Sequence, residues 1–554
     1  MQVTGARAIV ECLVEQGVDT VFGYPGGMIL PLYDALYGET RIQSIVNVHE
    51  QCAAHAADGY ARATGRVGVC IATSGPGATN LITGLATAFM DSIPVIAITG
   101  QVETGSLGHD AFQEIDILGA TMSVTKHNFA IKSAKELPEA VRLAFKIALS
   151  GRPGPVLIDI PQDILRAKID FCGDKAYQKV MPTLSERSIE MIAKAARLLS
   201  EAKRPVILSG GGVISANASE ELIKLATKCK LPVVHTLMGL GGFPDGHEQS
   251  IGLSGMHGWP TANHAVHDAD VVIAVGTRLS DRLTGNRDRY AHDKRIIHID
   301  IDPAEIAKNV STDIGIAGDI RTILGLLTAD AEPNDISDWW DEIHAWQEKF
   351  AYRYDENKLT VPWAMRQISN LTLDKQCIYV TDVGQHQMWA AQHIVVNQPR
   401  TWITSGGLGT MGFSLPAALG AQLASPDKRV IHIAGDGGMR MTGNELYTIA
   451  SLGLPIISVV VNNNGLGMIR QLQKVFYEDR YNACRFSHPM DFAMYAGSFG
   501  IDSVTVSTQE EFLTAMQDAL AQNKARVIVV QVDEDFVDPM AKPKAPINQF
   551  VDFK

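Results

Sequence analysis

Short apolar runs separated by longer amphipathic stretches recur along the whole 554-residue chain. Runs of roughly four to eight residues rich in Val and Ile predict buried parallel strands, and the stretches between them predict helices. In the first part a helix over 4–16 leads to a strand over 20–24. A strand over 67–73 then passes through Ser74-Gly75-Pro76-Gly77 into a helix over 78–91, with strands at 94–99 and 156–160 after it. The same alternation returns at 206–209, 233–236, 271–275 and 296–301, and again at 429–434 and 456–461. Alternating strand and helix builds parallel α/β layers. The predicted fold is therefore three consecutive doubly wound α/β domains with mostly parallel sheets, over 1–165, 188–335 and 361–535. The aperiodic polar stretch 166–187 reads as a linker, the acidic stretch 336–360 with its three tryptophans as a helical linker, and 536–554 as a Pro/Lys-rich tail.

Composition narrows the class. A net charge of −13 without a basic block argues against a nucleic-acid partner. No apolar stretch reaches the roughly 18–20 residues of a membrane span. The seven cysteines are scattered, with no metal-type spacing, and read as reduced thiols. Residues 6–16 carry Glu11 and Glu15 on an amphipathic helix rather than a basic and then apolar leader, so a cytoplasmic location is expected.

The chemistry starts at two strand ends. Asp436 lies in Gly435-Asp436-Gly437 after the run 429–434, and Asn463 lies in Asn462-Asn463-Asn464 after the run 456–461. Carboxyl ends of strands are where ligands bind in open α/β sheets. A carboxylate and an amide oxygen are hard donors suited to Mg²⁺, which shares its shell readily with a diphosphate. A lone Gly-Asp-Gly also occurs in ordinary tight turns; the pairing on two strand ends makes the metal reading the sharper one. Gly437 and Gly438 leave backbone N–H groups free for phosphates. Glu50, in Val48-His49-Glu50-Gln51-Cys52-Ala53-Ala54, opens a helix, where a glutamate is also favoured by the helix dipole alone.

Together these phrases resemble the thiamine-diphosphate (ThDP) enzymes. Ser74-Gly75-Pro76-Gly77-Ala78-Thr79-Asn80, Asp110-Ala111-Phe112-Gln113-Glu114, Gly255-Met256-His257-Gly258, Asp300-Ile301-Asp302-Pro303 and Thr381-Asp382-Val383-Gly384-Gln385-His386 narrow the resemblance to the catalytic subunits of acetohydroxyacid (acetolactate) synthases. It spans about residues 3–480.

The resemblance implies an enzyme that decarboxylates pyruvate on ThDP and passes the two-carbon unit to a second 2-oxo acid. The product is 2-acetolactate where pyruvate is the acceptor or 2-aceto-2-hydroxybutyrate where 2-oxobutyrate is, in branched-chain amino-acid biosynthesis. It makes Glu50 the catalytic carboxylate on the pyrimidine ring, and Met411 the wedge under the bent cofactor, with the Gly409 carbonyl taking the amino group. Tyr24, Pro25, Gly26, Gly27, Pro76 and Asn80 join them from the first domain. Val383, Gly384, Gln385, His386, Leu466, Gly467 and Met468 join them from the third. Gly465 becomes the third Mg²⁺ ligand beside Asp436 and Asn463. Phe112, Gln113, Arg282 and Leu472 line the substrate side, Gln113 and Arg282 as catalytic residues. A structural FAD falls to Arg152, Gly210, Gly211, Gly212, Met256, His257, Gly258, Arg278, Asp300, Ile301, Asp302 and Asp319. A homodimer or dimer of dimers follows, with a small regulatory subunit as a further partner.

Four departures bear on the acceptor. Leu472 replaces the family's tryptophan, which favours 2-oxobutyrate. His109 replaces a small hydroxyl residue, Gln162 stands where lysine is common, and the tail around Val537–Lys544 differs from the family's ending. The rival readings are another ThDP-dependent decarboxylase, oxidase or carboligase, and a non-catalytic cofactor-binding regulator.

Overall fold

In the computed structural model, which describes residues 2–174, 176–177 and 183–553, three six-stranded sheets follow one another along the chain. Every strand pair within them is parallel. The central strands are largely apolar, Val271–Val275 without interruption and Ile457–Asn462 with only Ser458 and Asn462 polar, because helices cover both faces of each sheet.

Strand order separates the units. Numbered in chain order within each unit, the first and third sheets both run 2-1-3-4-6-5, and the middle sheet runs 3-2-1-4-5-6. The middle order is that of dinucleotide-binding sheets. In the first sheet the chain reverses direction between Thr20–Gly23 and Gly68–Ala72, and in the third between Cys377–Thr381 and Arg429–Gly435. The crevice outside those strand ends is the default ligand position.

The first and third units share one hydrophobic core, which runs from Phe22, Ala53 and Ala57 to Val380, Phe413 and Leu419. At its centre the helix Glu50–Thr64 crosses the helix Ser414–Ala424. A Cβ on Gly59 would lie 2.1 Å from the Ala417 carbonyl oxygen, and one on Gly420 would lie 1.9 Å from that of Ala56. Only glycine allows backbones to approach so closely.

Several local readings change. The helix expected over 78–91 is two, Pro76–Asn80 and Ile82–Asp91. The stretch 166–187 contains the strand Lys168–Asp170, which pairs antiparallel with Gln2–Thr4; its residues 175 and 178–182 lie outside the described residues. In 336–360 the helix Ser337–Lys349 sends Trp339 and Ile343 into the core of the middle unit, so it packs as part of that unit. The tail buries Val537 and Met540 and crosses to the middle unit, where the Ala541 N–H reaches the Met256 carbonyl at 2.6 Å. All seven cysteines are free thiols, six of them buried.

Candidate functional site

The first unit supplies one half of the site. His49 caps the helix Glu50–Thr64 by accepting the Gln51 N–H on Nδ1 at 3.1 Å, which places Glu50 in the first turn. One carboxylate oxygen of Glu50 accepts Nδ2 of Asn80 at 2.9 Å, and a Cβ on Gly77 would lie 3.3 Å from the other. The segment Tyr24–Gly27 closes in from the side: Gly26 has room for the Thr73 side chain only because it lacks a Cβ, and the Met28 N–H reaches Thr73 Oγ1 at 3.2 Å. Gln162 donates to the Gly27 carbonyl at 2.7 Å. Gln113 adopts a left-handed φ of 63° against Gly75, next to Pro76.

The third unit supplies the other half, at its strand reversal. Asp436 is buried, with one oxygen accepting the Gly437 N–H at 2.8 Å and the other the Gly465 N–H at 2.9 Å. Burial pushes its carboxyl up to about 6, partly offset by those N–H groups. A Cβ on Gly437 would lie 2.7 Å from Leu466 and 3.0 Å from Met411 Cε. A Cβ on Gly467 would collide with Gln385 and lie 2.8 Å from Asn463 Nδ2, while one on Gly435 would press on His386. Asp436, Asn463, Gly465, Leu466, Gly467, Gln385, His386 and Met411 thus converge. Met468, the next residue, packs against the neighbouring apolar core.

A buried carboxylate fixes the Met411 turn: Asp382 accepts the Gly412 N–H at 3.0 Å and Ser414 Oγ at 2.7 Å. Val383 follows it and lies 3.9 Å from the Cβ position of Gly409, whose φ is 71°. Sequence reasoning did not single out Asp382 as a turn anchor, since its partners are 30 and 32 residues away.

One carboxylate, one amide and one backbone carbonyl make a hard donor set with open positions. Three protein donors leave the rest of a Mg²⁺ shell to water and to the oxygens of a bound ligand. The residues fit a Mg²⁺–diphosphate. Among the described residues Glu50 and Asp436 have separate hydrogen-bond partners: Glu50 takes Asn80, and Asp436 takes the Gly437 and Gly465 N–H groups.

In the middle unit Gly210, Gly211 and Gly212 lie at the strand reversal between Pro205–Ser209 and Val271–Val275. A Cβ on Gly210 would lie 2.3 Å from the Gly276 carbonyl oxygen. Arg152 pairs with Glu305 at 3.0 Å. Burial, then neighbouring Arg152, lowers the pKa of Arg278, and burial pushes Asp300 up to about 6. Asp300 accepts the Asp302 N–H at 2.9 Å across Ile301, and Asp319 caps a helix through Thr322. These groups surround the end of a dinucleotide-type sheet, which suits a flavin nucleotide. The Met256-His257-Gly258 segment instead meets the tail: burial holds His257 neutral, pushed down to about 4, beside the Pro539 carbonyl.

The expected substrate residues differ in exposure. Phe112 is 82% exposed, Arg282 is exposed and lies 3.7 Å from Asp281, and Leu472 is half-buried on the helix Gly467–Tyr477. His109 is exposed.

Comparison with known proteins matches residues 3–120 to the N-terminal TPP-binding domain of thiamine pyrophosphate enzymes, 192–327 to their central domain and 382–531 to their C-terminal TPP-binding domain. The chain is 47% identical over 543 residues to the acetolactate synthase large subunit of Corynebacterium glutamicum, covering 95% of this chain and 86% of that one. It is 45% identical over 568 residues to a probable acetolactate synthase large subunit of Methanocaldococcus jannaschii, covering 99% and 95%. It is 44% identical over 543 residues to the acetolactate synthase large subunit IlvB1 of Mycobacterium tuberculosis, covering 95% and 88%.

Proposed function

The chain belongs to the acetolactate synthase catalytic subunits of the thiamine-diphosphate enzyme family, and from that premise we propose how its residues divide the work. The reaction joins the two-carbon remainder of decarboxylated pyruvate to a second 2-oxo acid. ThDP, when bound, supplies the electron sink for that decarboxylation.

Asp436, Asn463 and the Gly465 carbonyl hold Mg²⁺, and Gln385, His386 and Gly437 border the diphosphate. Glu50 holds a proton at the pyrimidine nitrogen, with Asn80 fixing the carboxylate's orientation. Met411 would support the cofactor from below, and the Gly409 carbonyl would accept from its amino group. Arg282 receives the acceptor's carboxylate, which a guanidinium binds in bidentate fashion. FAD occupies the reversal point of the middle sheet around Gly210–Gly212, Arg278 and Asp300, in a structural role.

The observation that carries this reading is the twin topology. The first and third sheets share one strand order, and residues of each proposed half-site follow the two strands at the reversal, Tyr24 and Pro76 in the first and Val383 and Asp436 in the third. Glu50 and Asp436 lie on different units, and the family resemblance puts those units on neighbouring subunits, so the proposed centre takes Glu50 from one subunit and Asp436 from the next. Tyr24, Val46 and Tyr447 are exposed around a crevice of about 490 Å³ beside the Glu50 segment, as a docking partner requires. Relatives named large subunits point to a small-subunit partner as well. No helix among the described residues is long and apolar enough to cross a membrane. With seven free thiols, a reducing cytoplasm is the proposed location.

The test is incubation with pyruvate and 2-oxobutyrate, omitting ThDP, Mg²⁺ or FAD in turn. Acetolactate that disappears without ThDP or Mg²⁺ is the expected result. Acetyl phosphate, acetaldehyde or peroxide as the main product would overturn the carboligase reading.

A further inference from the structure

Asp91 ends the helix Ile82–Asp91 of the first unit, and its fully buried carboxylate reaches into the third. One oxygen accepts the Gly407 N–H at 2.7 Å and the other the Gly406 N–H at 3.2 Å. Two successive N–H groups converging on one anion form a backbone nest. The second oxygen also takes Nη2 of Arg62 at 2.9 Å. Arg62 is itself buried, pairs with the buried Asp58, and gives Nη1 to the Thr404 carbonyl at 2.9 Å. One turn back along the Asp91 helix, Thr87 Oγ1 meets Thr410 Oγ1 at 2.7 Å. The turn is closed on itself by Ser405 Oγ, which accepts the Thr410 N–H at 3.0 Å.

Side chains of the first unit therefore hold the glycine turn at Thr404, Gly406, Gly407 and Thr410. Gly407 has to be glycine for this, because a Cβ there would lie 2.7 Å from Asp91 Oδ1. The turn leads directly into Gly409 and Met411, whereas Asp382 anchors only its far end at Gly412 and Ser414.

We propose that Asp91 is a positioning residue for the cofactor wedge: by fixing Gly406 and Gly407 it sets where the Gly409 carbonyl and Met411 stand. The inference rests on the reading of Met411 and Gly409 given above. An asparagine at 91 keeps the shape but turns an NH₂ group toward donors, Gly406 N–H and Arg62 or Gly407 N–H, so at least one bond of the nest is lost.

Hydrogen exchange of the cofactor-free protein reads this directly. In Asp91→Asn, peptides across 403–413 exchange about tenfold faster while those of the helix Ser414–Ala424 are unchanged. The Kd for ThDP, measured calorimetrically with Mg²⁺, rises about tenfold. Thr87→Val loses only the hydroxyl pair and loosens the same segment, which keeps the test open should Asp91→Asn fail to fold. Unchanged exchange across 403–413 in the folded variants overturns the proposal, as does acceleration spread evenly over the chain. Met411→Ala is measured alongside. If it binds ThDP like the parent while Asp91→Asn loosens the turn, the hold on the turn stands and the wedge reading falls.

Discussion

Glu445, nine residues beyond Asp436, accepts the side-chain amide of Asn47 at 2.8 Å, three residues before Glu50. Both groups are buried, and the same carboxylate also approaches the Val48 N–H at 3.4 Å. Burial raises the pKa of Glu445, against hydrogen bonds from Asn47 and Thr448. The segment that delivers one carboxylate is thus clasped by the helical turn that follows the other.

Glu50→Gln keeps the side-chain size but removes the proton carrier. Acetolactate formation falls about 10²–10⁴-fold, the usual share of a positioned acid–base group. Calorimetric ThDP affinity moves by less than about threefold. Turnover equal to the parent's would take Glu50 out of the mechanism.

Mixing two inactive variants tests the shared centre. In a dimer of one Glu50→Gln chain and one Asp436→Ala chain, one centre carries both lesions and the other carries neither. With random assortment, about a quarter of the parent activity returns. Centres built within single chains would stay dead after mixing.

Asp245 is half-buried where the middle and third units meet and accepts the Val396 N–H at 2.8 Å. Burial pushes its carboxyl from 3.8 up to about 7, and the neighbouring His235, 3.2 Å away, is held neutral by burial at about 4. A carboxyl whose folded pKa exceeds its unfolded value favours the fold while protonated. Its contribution is therefore full at low pH and lost as pH rises through about 7. The nearly isosteric Asp245→Asn has no such loss. Its Tm advantage over the parent is smallest near about pH 5 and widest above about pH 7.5. A Tm difference that does not change with pH would contradict the assignment.

Leu472 offers less surface than the family's indole. Leu472→Trp raises the ratio of 2-aceto-2-hydroxybutyrate to acetolactate by about tenfold from an equimolar substrate mixture, the scale a pocket contact provides. Chromatography of the products reads the ratio; no change would place acceptor choice elsewhere.

Central strands such as Val271–Val275 were legible because burial on both faces leaves them apolar throughout. Edge strands such as Gln43–Val46, His127–Ala130 and Asp502–Val506 were not, because one side meets solvent and their pattern is mixed. Asp436 and Glu50 could be found because local phrases surround them. Asp91, Asp382 and Glu445 act on backbone or side chains 30 to 398 residues away, which no local phrase reports. The break at Leu81 was hidden as well, since apolar spacing continues across it.

The crossing at Gly59 and Gly420 leaves no room for a methyl group, and tightly packed joints of that kind do not hinge. A bulky cofactor therefore does not enter by parting the two halves of one chain. In the two-subunit centre proposed above, its routes are the boundary between subunits and the tail at Val537–Met540, which bonds through Gln471 to Gln385. Cofactor exchange should accordingly keep time with subunit separation or tail release rather than with diffusion into an open cleft, and a tightly assembled enzyme would keep its cofactor through long dilution.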